Sequence, residues 1–178
     1  MFAGQLACEA LNFVLKRLIK EDRPKQMYGK GYGMPSSHAQ FMAYFATSLT
    51  LFLLFRHSPS KVKREDHAPL SIISRIGVSS LAIAGAVAMA WSRTYLNYHT
   101  DKQVMVGSIA GVASASAWFL ATTILRRSGL LSWGLDSRIA RALRIRDLVV
   151  EEDLCQAGWR RWEEGQALRR RDNLRKGQ

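Results

Sequence analysis

The sequence predicts an all-α protein, a polytopic transmembrane helix bundle of about four spans followed by an amphipathic, charged C-terminal tail. The first ground is the segregation of charge. Of 178 residues, 48% are apolar and 22% charged, and the mean hydropathy of −0.09 is unremarkable as an average. Yet Ala39–Phe55 and Ile76–Ser92 each run 17 residues without a charge, and Val104–Leu125 runs 22. About 20 apolar residues cross a bilayer as a helix. The last run suffices alone, and neighbouring uncharged residues or snorkelling basic stems extend the other two. The second ground is the small-residue content of the last run: Gly107, Ala110, Gly111, Ala113, Ser114, Ala115 and Ala117. Such residues let membrane helices approach closely, which argues against a soluble bundle of buried helices. The third is the change of composition at residue 126: from Arg126 onward there are 13 Lys/Arg and 8 Asp/Glu. Residues 1–126 are therefore read as a membrane core and 127–178 as a tail.

The elements follow in order. The apolar run Met1–Leu15, interrupted by Glu9, opens a helix over 2–21 that ends ahead of Pro24, because the residue before a proline avoids helical geometry. Residues 22–35 form a loop loosened by Gly29, Gly31 and Gly33. A helix over 37–56 follows, with Ser36 placed to cap it. A polar loop (57–70), a helix (71–92), a short connection (93–98) and a last long helix (99–126) complete the core. In the tail, Arg138–Val150 carries apolar residues at spacings that suit a helix lying on the membrane surface. Trp159 and Trp162, flanked by arginines, suit the interfacial zone. Met1 runs directly into an apolar stretch without the basic segment of a secretory signal, so the expectation is that upstream sequence is missing.

The net charge of +12 raises a nucleic-acid function, which its distribution opposes. The basic residues flank apolar runs and form no stripe interleaved with stacking aromatics. Anionic lipid headgroups and phosphate substrates account for them. Cys8 and Cys155 are far apart and suggest neither a disulfide framework nor a metal site.

Three short polar motifs lie at the ends of the apolar runs: Lys16-x6-Arg23-Pro24, Pro35-Ser36-Ser37-His38 and Ser92-Arg93-x5-His99. Four alternating spans put all three on one side of the membrane, as a single site requires. Phosphate esters and anhydrides resist attack because their oxygens are negative, and cations that bind those oxygens lower the barrier. Lys16, Arg23 and Arg93 are the candidates. Lys16 and Arg23, seven residues apart, would both face inward from one helix end. Any one of them alone also reads as a snorkelling surface cation, the favoured reading for a lone Lys, and it is the joint spacing that points to a site. Ser36, Ser37 and His38 open a helix whose free N–H groups suit a phosphate. His38 there is placed to protonate a leaving oxygen, or simply to cap the helix or make a buried hydrogen bond. His99 is placed to attack phosphorus through a neutral ring nitrogen. Its other nitrogen then needs an acceptor, and Gln103, four residues on, lies on the same helix face, while Asp101 points away.

In this order the motifs resemble the three signatures of the type 2 phosphatidic acid phosphatase superfamily, a six-helix, metal-independent membrane family with relatives among vanadium haloperoxidases. The wider text Tyr32–Met42 and Ser92–Thr100, with Leu11-Asn12 ahead of Lys16, is similar to its dolichyl diphosphatase branch. That resemblance implies hydrolysis of dolichyl diphosphate to dolichyl phosphate and inorganic phosphate at the lumenal face of the endoplasmic reticulum, recycling the lipid carrier of protein N-glycosylation. It implies His99 as nucleophile, His38 as acid, and Lys16, Arg23, Ser36, Ser37 and Arg93 as phosphoryl binders, with no metal or other cofactor. Two positions depart from the superfamily pattern: Gln103 replaces an Asp, and Ser37 replaces a Gly. Four helices of the family's six are placed, which again suggests missing N-terminal sequence. Arg56, Lys61, Lys63, Arg64, Arg126 and Arg127 mark the opposite side, and with it the tail, as cytoplasmic. The alternatives are a phosphatase of phosphatidate or sphingoid phosphates, and a membrane protein that binds lipid phosphate without turnover.

Overall fold

In the computed structural model, residues 1–24, 31–56, 71–145 and 162–169 are described. Their contacts divide the chain into two units, Met1–Ser128 and Gly129–Gln178. The first consists of four long helices: α1 (Phe2–Ile19), α2 (Ser37–Leu51), α3 (Ile72–Tyr95) and α4 (Asp101–Arg127), with one π-helical turn, Phe52–Arg56, prolonging α2. Of these, α2 with its π turn, α3 and α4 are long and apolar enough to cross a membrane. Helix α1 was expected as a fourth span, but Glu9, Lys16 and Arg17 interrupt its apolar character. The molecule is a multi-pass helical membrane protein.

Helix α2 is the centre of this unit, packed most extensively on α4, then on α3 and α1. The α2–α4 seam is made by the small residues of α4. Gly107, Gly111 and Ala115, one turn apart, are buried. A Cβ on Gly107 would lie 2.6 Å from the Ser36 carbonyl oxygen, and one on Gly111 would strike the Gln40 carbonyl and lie 2.9 Å from Ala43 Cβ. The backbones therefore touch where only glycine allows it. Helix α1 is fixed to α2 by a buried polar cluster. Asn12 Nδ2 donates to Gln40 Oε1 (2.7 Å), and Gln40 Nε2 donates to the Cys8 carbonyl (2.9 Å). Such bonds between membrane helices contribute about 0.6 kcal/mol each, enough to set rotation about the helix axis. At the far end of α2, Arg56 Nη2 donates to the Phe119 carbonyl (2.8 Å) and Thr123 Oγ1 (2.9 Å), with its guanidinium over the Phe119 ring.

The boundaries differ from expectation in three places. Helix α1 stops at Ile19, not 21, because Lys20 adopts a left-handed conformation (φ 51°) and its N–H closes on the Lys16 carbonyl. Helix α3 runs on to Tyr95, and α4 begins at Asp101, so His99 precedes the helix. In the second unit, α5 (Leu130–Leu135) was not foreseen, and among the described residues of the helix expected over Arg138–Val150 only α6 (Arg138–Ala142) is helical. Arg144 turns left-handed (φ 53°) and the Ile145 N–H bonds back to the Ala140 carbonyl, which terminates α6. Residues 146–150, Cys155, Trp159, Gly29 and the 57–70 loop with Lys61, Lys63 and Arg64 lie outside the described residues. Trp162 opens a helix over 162–169.

The seam predicts a contrast between glycines. Gly111→Ala is expected to destabilise the bundle by about 1–3 kcal/mol, as overpacking does, lowering its melting temperature in detergent. Gly85→Ala in α3, where a Cβ meets nothing within 4 Å, should leave that temperature unchanged or raise it.

Candidate active site

The spacing of the third motif is explained by the turn between α3 and α4. Asn97 takes a left-handed conformation (φ 55°), which Asn tolerates better than most residues. The chain then doubles back, and the Arg93 carbonyl accepts the N–H groups of both Tyr98 (2.9 Å) and His99 (3.2 Å). The intervening residues thus form one reversing turn that returns His99 to the level of Arg93. The Arg93 side chain is half-buried, its Nε donating to Ser92 Oγ (3.3 Å) and its guanidinium 5.2 Å from the Tyr98 ring centre.

Helix α4 begins with a capping box. Thr100 Oγ1 accepts the Gln103 N–H, and Gln103 Oε1 accepts the Thr100 N–H (3.4 Å). The same Oε1 lies 3.1 Å from His99 Nδ1. Gln103 is fully buried and His99 is 5% exposed. The other end of the amide is committed: Nε2 donates to the Asp22 carbonyl (2.8 Å) and to Glu21 Oε1 (3.2 Å). Both of those groups only accept, so the amide cannot flip. An amide oxygen facing Nδ1 requires that nitrogen to carry the proton. Nε2 therefore holds the free lone pair. Sequence reasoning placed Gln103 beside His99 by helix phase; the contact is real, but it arises from the N-terminal capping geometry, since His99 is outside the helix.

Burial holds the His99 imidazole below its ordinary 6.5, and the charges of Arg23 and Lys16 push it the same way, against hydrogen bonding to Gln103 and the Gly33 backbone. Both cations therefore act on His99, but not as a pair on one helix end. Because α1 stops at Ile19, Arg23 reaches the site from the loop beyond it. Ser36 holds the N-cap position of α2 without a side-chain capping bond, so its expected capping role is not seen. Its N–H donates to the Gln103 carbonyl (3.1 Å), which removes it as a phosphate donor. The Ser36 hydroxyl is buried without a partner among the described residues. Ser37, His38 and Ala39 keep N–H groups that have no acceptor inside the helix. Ser37 is half-buried, and His38 is exposed on the second residue of α2. Asp101 is exposed.

Three contributors were not singled out from the sequence. Thr100 was visible in principle as the T-x-x-Q of a capping box. Gly33 was read as a source of loop freedom, but its role is steric: a Cβ there would lie 2.7–2.9 Å from the Gln103 amide atoms. Glu21, between two motif residues, carried no local signal. No cluster of three His, Cys, Asp or Glu side chains suited to a metal occurs among the described residues.

Fold and site together define a multi-pass helical membrane protein with a buried histidine, influenced by two cations, at one end of its bundle. The chain belongs to the PAP2 superfamily, whose pattern matches residues 1–127. It is 46% identical to a Neurospora crassa protein, over 99% of this chain and 79% of that one. It is 37% identical to Dolichyldiphosphatase 1 of Dictyostelium discoideum, over 86% of this chain and 65% of that protein. It is 40% identical to Dolichyldiphosphatase 1 of Homo sapiens, over 68% of this chain and 51% of that protein. The chain thus spans between about half and four-fifths of the length of these relatives. No solved structure matches it significantly.

The site predicts that His99 is neutral at pH 7 and is protonated only as pH falls below 6.5, with the proton of the neutral ring on Nδ1. Ring-nitrogen NMR of the labelled protein in detergent checks this against His99→Ala, which removes the signal. A midpoint at or above 6.5, or a neutral ring protonated on Nε2, contradicts it.

Proposed function

We propose that the protein hydrolyses a polyprenyl diphosphate, dolichyl diphosphate, to dolichyl phosphate and inorganic phosphate. The observation that carries this reading is the Gln103 oxygen held on His99 Nδ1, which assigns the ring proton to Nδ1 and leaves the lone pair on Nε2, in a ring on which the charges of Arg23 and Lys16 act. The names of the Dictyostelium and human relatives supply the substrate class. In the first step Nε2 of His99 attacks the terminal phosphorus, the bond from phosphorus to the bridging oxygen breaks, and dolichyl phosphate departs. In the second, water attacks the phosphohistidine, releasing inorganic phosphate and the free ring. Lys16, Arg23, Arg93 and the open N–H groups of Ser37 and its successors neutralise the equatorial oxygens. His38 donates the proton required by the leaving oxygen. Residues 1–126 form the phosphatase core, and 127–178 an appended tail. Arg56, Arg126 and Arg127 mark the end of the bundle opposite His99 as cytoplasmic, which supports a lumenal site in the endoplasmic reticulum membrane.

Phosphate release from dolichyl diphosphate in detergent, with chelator present, tests the reading. Wild-type protein should turn over and His99→Ala should not, and a phosphohistidine should be trapped only when His99 is present. Chelator-sensitive turnover, or turnover that survives His99→Ala, would count against this chemistry. Competition between dolichyl diphosphate and phosphatidate for one purified preparation separates the two substrate classes.

The leaving group sharpens the role of His38. A phosphate monoester leaves with a second pKa near ~6, whereas an alkoxide must be protonated from a pKa of roughly 15. His38→Ala should therefore lower kcat/KM for dolichyl diphosphate by less than about tenfold. For phosphatidate the loss should be about a hundredfold or more, the usual worth of a general acid. Equal losses on both substrates would show that His38 does not act as the acid.

A further inference from the structure

Glu21 lies outside the three motifs and has no part in the mechanism above, yet it makes three contacts at the site. Its Oε1 accepts from Gln103 Nε2 (3.2 Å), and its Oε2 accepts from Lys102 Nζ (3.0 Å). Its carbonyl accepts the Gly33 N–H (2.7 Å), and Gly33 in turn lies flat against the Gln103 amide. The next carbonyl along the chain, that of Asp22, also accepts from the Gln103 amide (2.8 Å). The left-handed Lys20 makes this possible by turning the chain out of α1 and across the start of α4.

The Asp22 carbonyl alone would orient the amide. What Glu21 adds is charge. When Nε2 of His99 bonds to phosphorus the ring becomes cationic, and its remaining proton, on Nδ1, faces the neutral Gln103 oxygen. The charges of Arg23 and Lys16 oppose that positive charge. A carboxylate on the far end of the amide polarises it, drawing electron density onto Oε1 and stabilising the cationic ring. Lys102, 69% exposed, sits on Oε2, while Oε1 stays on the Gln103 amide. We infer that Glu21 is a positioning residue that acts through Gln103 to balance the charge His99 acquires during phosphoryl transfer. Hydrogen bonds from Lys102 and then Gln103 hold its carboxyl below the usual range, so it is ionised at neutral pH. The inference rests on the proposed phosphohistidine chemistry.

A double-mutant cycle on the full chain tests it, with dolichyl diphosphate as substrate. Glu21→Gln should lower kcat roughly tenfold, the lower end of the usual effect of an outer-shell partner, with KM within about twofold. Gln103→Glu places the charge directly on His99, so adding it to Glu21→Gln should restore most of that loss. Lys102→Met, which breaks the surface ion pair alone, should change kcat less than about twofold. Equal losses from Glu21→Gln in both backgrounds, or a loss from Lys102→Met as large as that from Glu21→Gln, would make Glu21 a structural tie and overturn the inference. A separate arm needs no turnover: ring-nitrogen NMR should show the His99 titration midpoint moving down in Glu21→Gln, and an unmoved midpoint overturns it. If wild-type protein releases no phosphate, the proposed function fails, and the NMR arm still decides whether Glu21 acts on His99.

Discussion

The Gln103 amide is the constraint on which the rest of the site depends, because every one of its hydrogen-bonding directions is taken. Its oxygen serves the Thr100 N–H and His99 Nδ1, and its nitrogen serves Asp22 and Glu21. Its own carbonyl receives the Ser36 N–H. One residue therefore caps α4, fixes the imidazole tautomer, holds the chain leaving α1, and sets the height of α2. It is fully buried, so a wrong orientation would strand several polar groups at about 1–3 kcal/mol each. The network is either complete or expensive, and that is what makes the position of His99 reproducible.

The bundle supports this junction by bringing three helix ends to one level. Helices α2 and α4 run parallel, since Ser36 meets Gln103 at one end and Arg56 meets Phe119 and Thr123 at the other. Close approach along Gly107 and Gly111 lets α4 touch the α2 backbone and carry Gln103 up to Ser36. The Asn12–Gln40 cluster sets the rotation of α1 one turn below Lys16. Packing inside the bundle and charge at its end are thus parts of one arrangement.

Much of this was legible in the sequence. The three charge-free runs became α2, α3 and α4 within a few residues, because burial in lipid leaves no other place for a charge. The small residues of α4 announced a close seam. The motif spacings brought Arg93, His99 and Gln103 together, and Lys16 and Arg23 within electrostatic reach. What was not legible depended on single backbone conformations. Nothing about a lysine foretells the left-handed turn at Lys20, yet that turn moves Arg23 off the helix and delivers Glu21 to Gln103. Gly33 looked like one of three loop glycines, and only the packed amide shows why a side chain is excluded there. The tail misled for a similar reason: apolar spacing over Arg138–Val150 suggested one helix, and Arg144 breaks it.

The central claim is that His99 acts through Nε2 because Gln103 holds its Nδ1–H. A structure of the protein with orthovanadate, which adopts the trigonal geometry of a transferring phosphoryl group, tests this most directly. The account predicts vanadium bonded to His99 Nε2, with Gln103 Oε1 still on Nδ1 and Lys16, Arg23 and Arg93 around the oxygens. Vanadate bonded through Nδ1, or held away from His99 altogether, would contradict it.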